Sequence, residues 1–283
     1  MLQSARHWHG RGVLCDGIYM ITSTRNPVIK FIRDLQSHPQ ARREAQAFVL
    51  EGVRLAEEAM LAGWEARTVL YSPELSPRGL KLVDEYTRRG ARVERVSAEV
   101  LKAASDQDTP QGILLVMPIQ RLPLPPQADF LLILDEVRDP GNLGTILRTA
   151  WAAGVEAVLL TPGSVDVYSP KVVRSAMGAH FHLPIHNPGW QDLENYLDQL
   201  RKTKHLGLYL ADATQGKLFT QADFRSPLAL IVGGEAEGTG TQAKKLTSQR
   251  VHIPMPGKTE SLNVAIATAI LLFEVLRQRQ SNP

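Results

Sequence analysis

After residue 128 the chain alternates, at regular intervals, between short unbroken apolar runs and segments of helical periodicity, and few folds accept that rhythm. The runs Phe130–Leu134, Ala157–Leu160, Leu206–Leu210, Leu228–Val232 and Val251–Ile253 read as strands. Leu143–Ala153, Ser169–Met177, Trp190–Lys202 and about 261–279 read as helices. A strand without polar alternation is buried on both faces, and strand–helix–strand order makes neighbouring strands parallel. The expectation is therefore a parallel sheet with helices on both sides. Ligands of such sheets bind beyond the carboxyl ends of the strands, so the loops after Leu134, Val232 and Ile253 carry the candidate chemistry.

The segment 118–126 holds four prolines in nine residues, which remove backbone donors and favour extended chain. It reads as the core of a linker, 118–128, between residues 129–283 and a smaller α/β domain over 20–117. In that smaller domain Phe48–Leu50, Thr68–Tyr71, Val93–Val96 and Ile113–Met117 read as strands. Val53–Leu61, Gly79–Arg88 and Ala98–Ala104 read as helices. Residues 1–128 carry 17 Lys and Arg against 14 Asp and Glu, whereas 129–283 are balanced at 15 each. The excess gathers at Arg25, Lys30, Arg33, Arg42 and Arg43, a candidate contact for an anionic polymer.

A chain of 283 residues that is 43% apolar has ample material for a core, which excludes disordered and disulfide-scaffold classes. Its longest apolar candidate for a membrane span, Leu262–Leu272, is interrupted by Asn263 and Thr268. The lone Cys15 and the lack of a secretory leader pattern point to a reducing, cytoplasmic setting. His180 and His182 flank Phe181 without a cysteine or carboxylate cluster, so no metal is expected; Trp64, Trp151 and Trp190 read as packing groups.

Each of the three loops has its own chemistry. Asp139-Pro140-Gly141-Asn142 is a turn leading into a helix, with Asn142 a candidate N-cap and Arg148 further along. Gly233-Gly234-Glu235-Ala236-Glu237-Gly238 lets backbone approach closely, but it is neither a Walker A loop nor a dinucleotide-binding turn. Ile253-Pro254-Met255-Pro256-Gly257 is followed by Ser261-Leu262-Asn263-Val264, where Ser261 is a candidate cap of the last helix. An apolar slot with backbone polar groups, as this loop offers, suits a flat ring.

Taken together and in this order, the three segments resemble the SpoU/TrmH branch of the SPOUT RNA methyltransferases. The family pattern is Asp-Pro-x-Asn-x-Gly followed by Arg, then Gly-x-Glu-Gly-x-Gly, then Ile-Pro-Met with Ser-Leu-Asn-Val; Ala236 stands at a usual glycine. The segments at Arg25–Val28, Val49–Gly52 and Asp108–Gly112 are similar to the L30e-like substrate-binding domain that precedes many of these enzymes. Residues 1–19 match neither part and read as a disordered extension, or as the product of a mis-called start upstream of Met20.

The resemblance implies an S-adenosylmethionine-dependent 2′-O-ribose methyltransferase acting on RNA, with large-subunit (23S) rRNA as expected substrate. Transfer RNA is the alternative, and so is a non-catalytic RNA-binding or ribosome-assembly role. It implies catalytic roles for Arg148, Asn142, Glu235, Ser261 and Asn263, and cofactor contacts from Gly233, Ile253, Met255, Gly257 and Leu262. RNA contacts would come from Arg25, Lys30, Arg33, Arg42 and Arg43. A deep trefoil knot and a homodimer involving the last helix are further expectations.

Overall fold

A computed structural model of the chain describes residues 13–15, 18–234, 238–247, 249–257 and 259–280. Its contacts divide into two compact units, Met1–Gln120 with Tyr168–Pro170, and Arg121–Val167 with Lys171–Pro283.

The first unit contains β1 (Val13–Cys15), β2 (Ile18–Ile21), α1 (Pro27–Ser37), α2 (Pro39–Ala45), β3 (Ala47–Glu51) and α3 (Val53–Leu61). It continues through β4 (Thr68–Tyr71), α4 (Pro77–Arg88), β5 (Arg92–Val96), α5 (Ala98–Ala104) and β6 (Ile113–Pro118). Its sheet has the order β1-β2-β5-β4-β6-β3 and is mixed: β6 runs antiparallel to both β4 and β3, whereas β5 is parallel to β4 and β2. Helix starts follow local chemistry. The Asn26 side chain accepts from Val28 N ahead of Pro27, and the Ser76 and Ser97 hydroxyls accept from Gly79 N and Val100 N. Helix α1 buries the stripe Ile29, Ile32 and Leu35 in a core shared with Val49, Leu70 and Leu114. β1 lies within the expected extension and pairs antiparallel with β2.

The second unit contains β7 (Phe130–Asp135), α6 (Pro140–Ala152), β8 (Ala157–Leu160), α7 (Pro170–Ala176), β9 (Ile185–His186) and α8 (Trp190–Lys204). After these come β10 (Gly207–Ala211), β11 (Lys217–Leu218), β12 (Leu228–Gly233), α9 (Thr241–Leu246), β13 (Arg250–His252) and α10 (Val264–Gln280). The seven strands take the order β11-β13-β10-β12-β7-β8-β9, and every pairing between them is parallel. Alternate residues of β7 serve opposite faces. Phe130, Leu132 and Leu134 pack with Leu143, Ile146 and Leu147 of α6 and Leu271, Leu272 and Val275 of α10. Leu131 and Ile133 pack with Leu193, Leu197 and Leu200 of α8. Two covered faces are the reason these strands read as continuous apolar runs.

The proline-rich segment, expected as a linker, is held against the second unit at several points. The Leu122 carbonyl meets His186 Nε2 at 2.7 Å, the Pro125 carbonyl accepts from the Tyr196 hydroxyl at 2.7 Å, and Ala128 is buried. Burial, aided by Glu156, pushes the Tyr196 hydroxyl up to about 12, so it stays protonated and keeps donating.

Candidate functional site

Because the sheet is parallel, the carboxyl ends of β7, β12 and β13 all face one edge. Register places Gly233, the last residue of β12, opposite Asp135, the last of β7.

The helix after β7 begins earlier than its apolar pattern suggests. Pro140 has its φ preset for a first turn, and the Asp139 carboxylate caps it by accepting from Asn142 N at 2.7 Å. Asp139, not Asn142, is therefore the N-cap. Freed from capping, the half-buried Asn142 turns its Oδ1 toward Asn263, whose Nδ2 donates at 3.0 Å. Asn263 is itself the residue that starts α10: its Oδ1 accepts from Ala265 N at 2.9 Å and Ile266 N at 3.3 Å. These two backbone donors fix which end of the Asn263 amide is oxygen, so its NH₂ group must face Asn142. Ser261, the expected cap, is displaced because the helix starts at Val264; it is exposed, and its carbonyl accepts from Thr259 Oγ1. Arg148 is exposed on α6, six residues beyond Asn142.

Backbone crowding explains the glycines after β12. A Cβ on Gly233 would lie 2.4 Å from Gly238 C and Thr239 N, and one on Gly234 would lie 2.4 Å from Glu136 O. The close approach allowed at Gly233 is thus to the chain's own returning backbone, and Gly234 and Gly238 form a bridge. Glu235, with Ala236 and Glu237, lies outside the described residues. Below this turn sits a group that pattern reading passed over. Asp135 is buried, its Oδ1 accepting from Thr161 Oγ1 at 2.8 Å and its Oδ2 from Gly240 N at 2.7 Å. The available signal was a single carboxylate closing an otherwise apolar strand.

After β13, Ile253 packs on the core; it, Met255 and Leu262 are all half-buried, while Gly257 is exposed with open space around its Cβ position. Half-buried apolar side chains flanking a loop rich in backbone polar groups are the kind of lining a planar heteroaromatic group needs.

In the first unit Arg25, Lys30, Arg33 and Arg43 are exposed. Arg42 departs from the expectation of an RNA contact. It is 3% exposed, and its Nη1 donates to the Leu35 and Gln36 carbonyls at the end of α1, where orphan acceptors need donors. Two of the three motif segments of this unit meet: a Cβ on Gly52 would lie 2.9 Å from Gln111 Oε1, which accepts from the neighbouring Val53 N at 3.2 Å.

His180 is buried, with Nε2 at 2.8 Å from the Val167 carbonyl; burial pushes it down to about 4 against the opposing effects of Val167 and Asp166. No group of His, Cys, Asp or Glu able to hold a metal occurs among the described residues. Trp64 is buried, Trp190 packs against the α8-side core, and Trp151 is partly exposed and stacks on His182 at 4.5 Å. No helix among the described residues is long and apolar enough to cross a membrane.

Two family models match the chain. One, described as the SpoU rRNA Methylase family, covers residues 129–273, and the other, the MRM3-like substrate binding domain, covers 26–115. The chain is 33% identical to the 23S rRNA (guanosine(2553)-2′-O)-methyltransferase RlmP of Bacillus subtilis, over 90% of this chain and 98% of that one. It is 31% identical to the mitochondrial rRNA methyltransferase 3 of Homo sapiens, over 96% of this chain and 76% of the relative. Among solved structures, the AdoMet-bound rRNA methyltransferase from Sinorhizobium meliloti superposes with a TM-score of 0.82 at 31% identity, covering 91% of this chain and 97% of the other.

Proposed function

The chain belongs to the SpoU rRNA methylase family, and from that premise we propose that it transfers a methyl group from S-adenosylmethionine to a ribose 2′-hydroxyl of large-subunit rRNA. The observation that carries this reading is the hydrogen bond between Asn142 and Asn263. Residues 121 positions apart, from the first and third motifs, are joined side chain to side chain at the carboxyl edge of the sheet.

Bound S-adenosylmethionine supplies an electrophilic methyl group. Ile253, Met255 and Leu262 would cover its planar part, with backbone groups near Gly257 and Gly233 making the polar contacts. A ribose hydroxyl is a poor nucleophile near neutral pH, so the chain must favour the oxygen as it gains negative charge. An arginine side chain keeps its proton near neutral pH. Arg148 therefore acts as a fixed positive charge that would steady the 2′-oxygen and its neighbouring phosphate, and the 2′-proton would leave to that phosphate or to solvent as the oxygen takes the methyl group. The Asn142 amide, its orientation locked by Asn263, would hold Arg148 and the nucleotide in register; Glu235 and Ser261 complete the proposed set. A 2′-hydroxyl distinguishes RNA from DNA.

The expected domain 20–117 serves in this reading as the RNA-capturing domain, with Arg25, Lys30, Arg33 and Arg43 on phosphates, and 129–283 as the catalytic domain. The reading includes a trefoil knot, a cytoplasmic location and a homodimer. Ile266 and Phe273 of α10, seven residues apart and so on one face, are each about half exposed, which supports cover by a second copy.

The test is transfer of labelled methyl from S-adenosylmethionine to unmodified rRNA and tRNA, with mapping of the modified ribose. The expected result is one 2′-O-methylated nucleotide in large-subunit rRNA, lost in Arg148→Ala while cofactor affinity stays within a few-fold. Label on tRNA alone would overturn the substrate assignment. Wild-type turnover in Arg148→Ala would overturn the role of that residue.

A further inference from the structure

Asp135 is 1% exposed, and no Lys, Arg or His among the described residues forms an ion pair with it. A buried carboxylate held by neutral donors alone is expensive to keep, so what those donors belong to matters. Gly234 N donates to the Asp135 carbonyl at 2.8 Å, and Gly240 N donates to its Oδ2 at 2.7 Å. The turn after β12 is therefore tied at its entry and at its exit to one residue of β7. The remaining carboxylate oxygen, Oδ1, accepts from Thr161 Oγ1, and the same hydroxyl accepts from Glu136 N at 3.0 Å. Thr161 is fully buried just after β8, and its own N donates to the Leu134 carbonyl, so the clamp is anchored in the sheet on both sides. Gly233, just before the first tied point, has its close backbone contact with Gly238 and Thr239, just before the second.

We propose that Asp135 is a positioning residue for methyl transfer: its carbonyl and its carboxylate, the latter braced by Thr161, hold Gly234 and Gly240 against β7 so that Gly233 keeps its place at the site. This rests on the assignment of that turn to the cofactor and substrate site. Asp135, buried beneath the turn, acts through it. Loss of a hydrogen bond to a charged group corresponds to about 10- to 100-fold in an equilibrium. Because the clamp acts on the turn, this loss falls on cofactor affinity and kcat, while RNA affinity, borne by the other unit, stays unchanged.

The test uses the full-length protein and compares wild type with Asp135→Ala, Thr161→Val and the conservative Thr161→Ser. Readouts are the Kd for S-adenosylmethionine, the Kd for rRNA, kcat well below the melting transition, and amide hydrogen exchange at Gly240. Expected are a cofactor Kd raised roughly tenfold or more in Asp135→Ala, a smaller rise in Thr161→Val, faster exchange at Gly240 in both, and recovery in Thr161→Ser. If Asp135→Ala does not fold, Thr161→Val still decides the matter. Variants that lower Tm but keep wild-type cofactor Kd and kcat would make Asp135 a stability residue only and overturn the proposal. An inactive wild-type protein would instead overturn the methyltransferase reading, while faster Gly240 exchange in the variants would still report the clamp.

Discussion

Replacing Gly144 by alanine sets two opposing effects against each other on α6. Glycine in a helix interior is about 1 kcal/mol less favourable than alanine, so propensity alone predicts a gain in stability. Packing predicts the reverse. A Cβ at residue 144 would lie 2.5 Å from Ser175 Cβ, 2.8 Å from the Val172 carbonyl oxygen and 3.1 Å from Ala176 N, all on α7. None of these atoms can rotate away, so α6 must retreat by roughly 1 Å to reach ordinary contact distance. Overpacking of this kind costs about 1–3 kcal/mol, and two backbone atoms among the three argue for the upper part of that range. After subtracting propensity, the net loss is about 1–2 kcal/mol, or about 2–8 °C in the Tm of a unit this size. The same retreat would carry Asn142 away from Asn263, now 3.0 Å distant. Displacements near 1 Å at a reacting site reach about 100-fold in rate. The assay is thermal unfolding together with methyl transfer measured well below both transitions. A Tm at or above that of the wild type would mean that propensity dominates and that α6 and α7 are not in close contact at Gly144.

Three further outcomes are expected. Leu262→Arg places a charge among the half-buried groups after β13 and should weaken S-adenosylmethionine binding by at least roughly tenfold; unchanged affinity by calorimetry would mean the cofactor lies elsewhere. His180 has a folded-state pKa of about 4 against about 6.5 unfolded, so its contribution is complete above pH 6.5 and is lost as pH falls toward 4, amounting to about 2 kcal/mol by pH 5. Denaturant unfolding at pH 7.5 and pH 5 should show this loss in the wild type and not in His180→Gln, and parallel pH slopes would count against it. Arg42→Ala should cost stability, about 1.5–3 kcal/mol for lost charged hydrogen bonds, with RNA affinity of the folded protein retained, whereas Arg43→Ala should lower RNA affinity and its salt dependence with Tm unchanged. The opposite pattern would invert the roles given to these two neighbours.

The strands were the most legible part of the fold. Ala157–Leu160 and Thr68–Tyr71 form strands with the bounds their apolar runs indicate, and β7 extends past Leu134 by one residue only. Burial on both faces leaves a continuous apolar run that needs no partner to be recognised. Helix starts were less legible, because more than one residue near each turn can cap. Asp139 outcompetes Asn142 since Pro140 sets the first turn, and Asn263 displaces Ser261 since its side chain reaches two backbone donors. Helices α1 and α2 were hidden within a charge cluster, although Pro27, Pro39 and the Ile29–Ile32–Leu35 stripe were there to mark them.

What the amino-acid order determined by itself was therefore everything carried by local chemistry: a parallel sheet covered on both faces, three chemically distinct loops at its strand ends, and a family pattern readable across them. Tertiary structure alone decided which side chains meet. Arg42 and Arg43 are adjacent in the chain, yet consecutive helical residues point about 100° apart, and only one of them faces the α1 carbonyls. Asn142 reaches Asn263 across 121 residues, and Asp135 reaches Gly240 across 105, because parallel pairing brings the ends of distant strands to one edge of the sheet. Partnerships of that kind leave no periodicity along the chain, since the strand order that creates them, β10-β12-β7-β8, is not the order of the sequence.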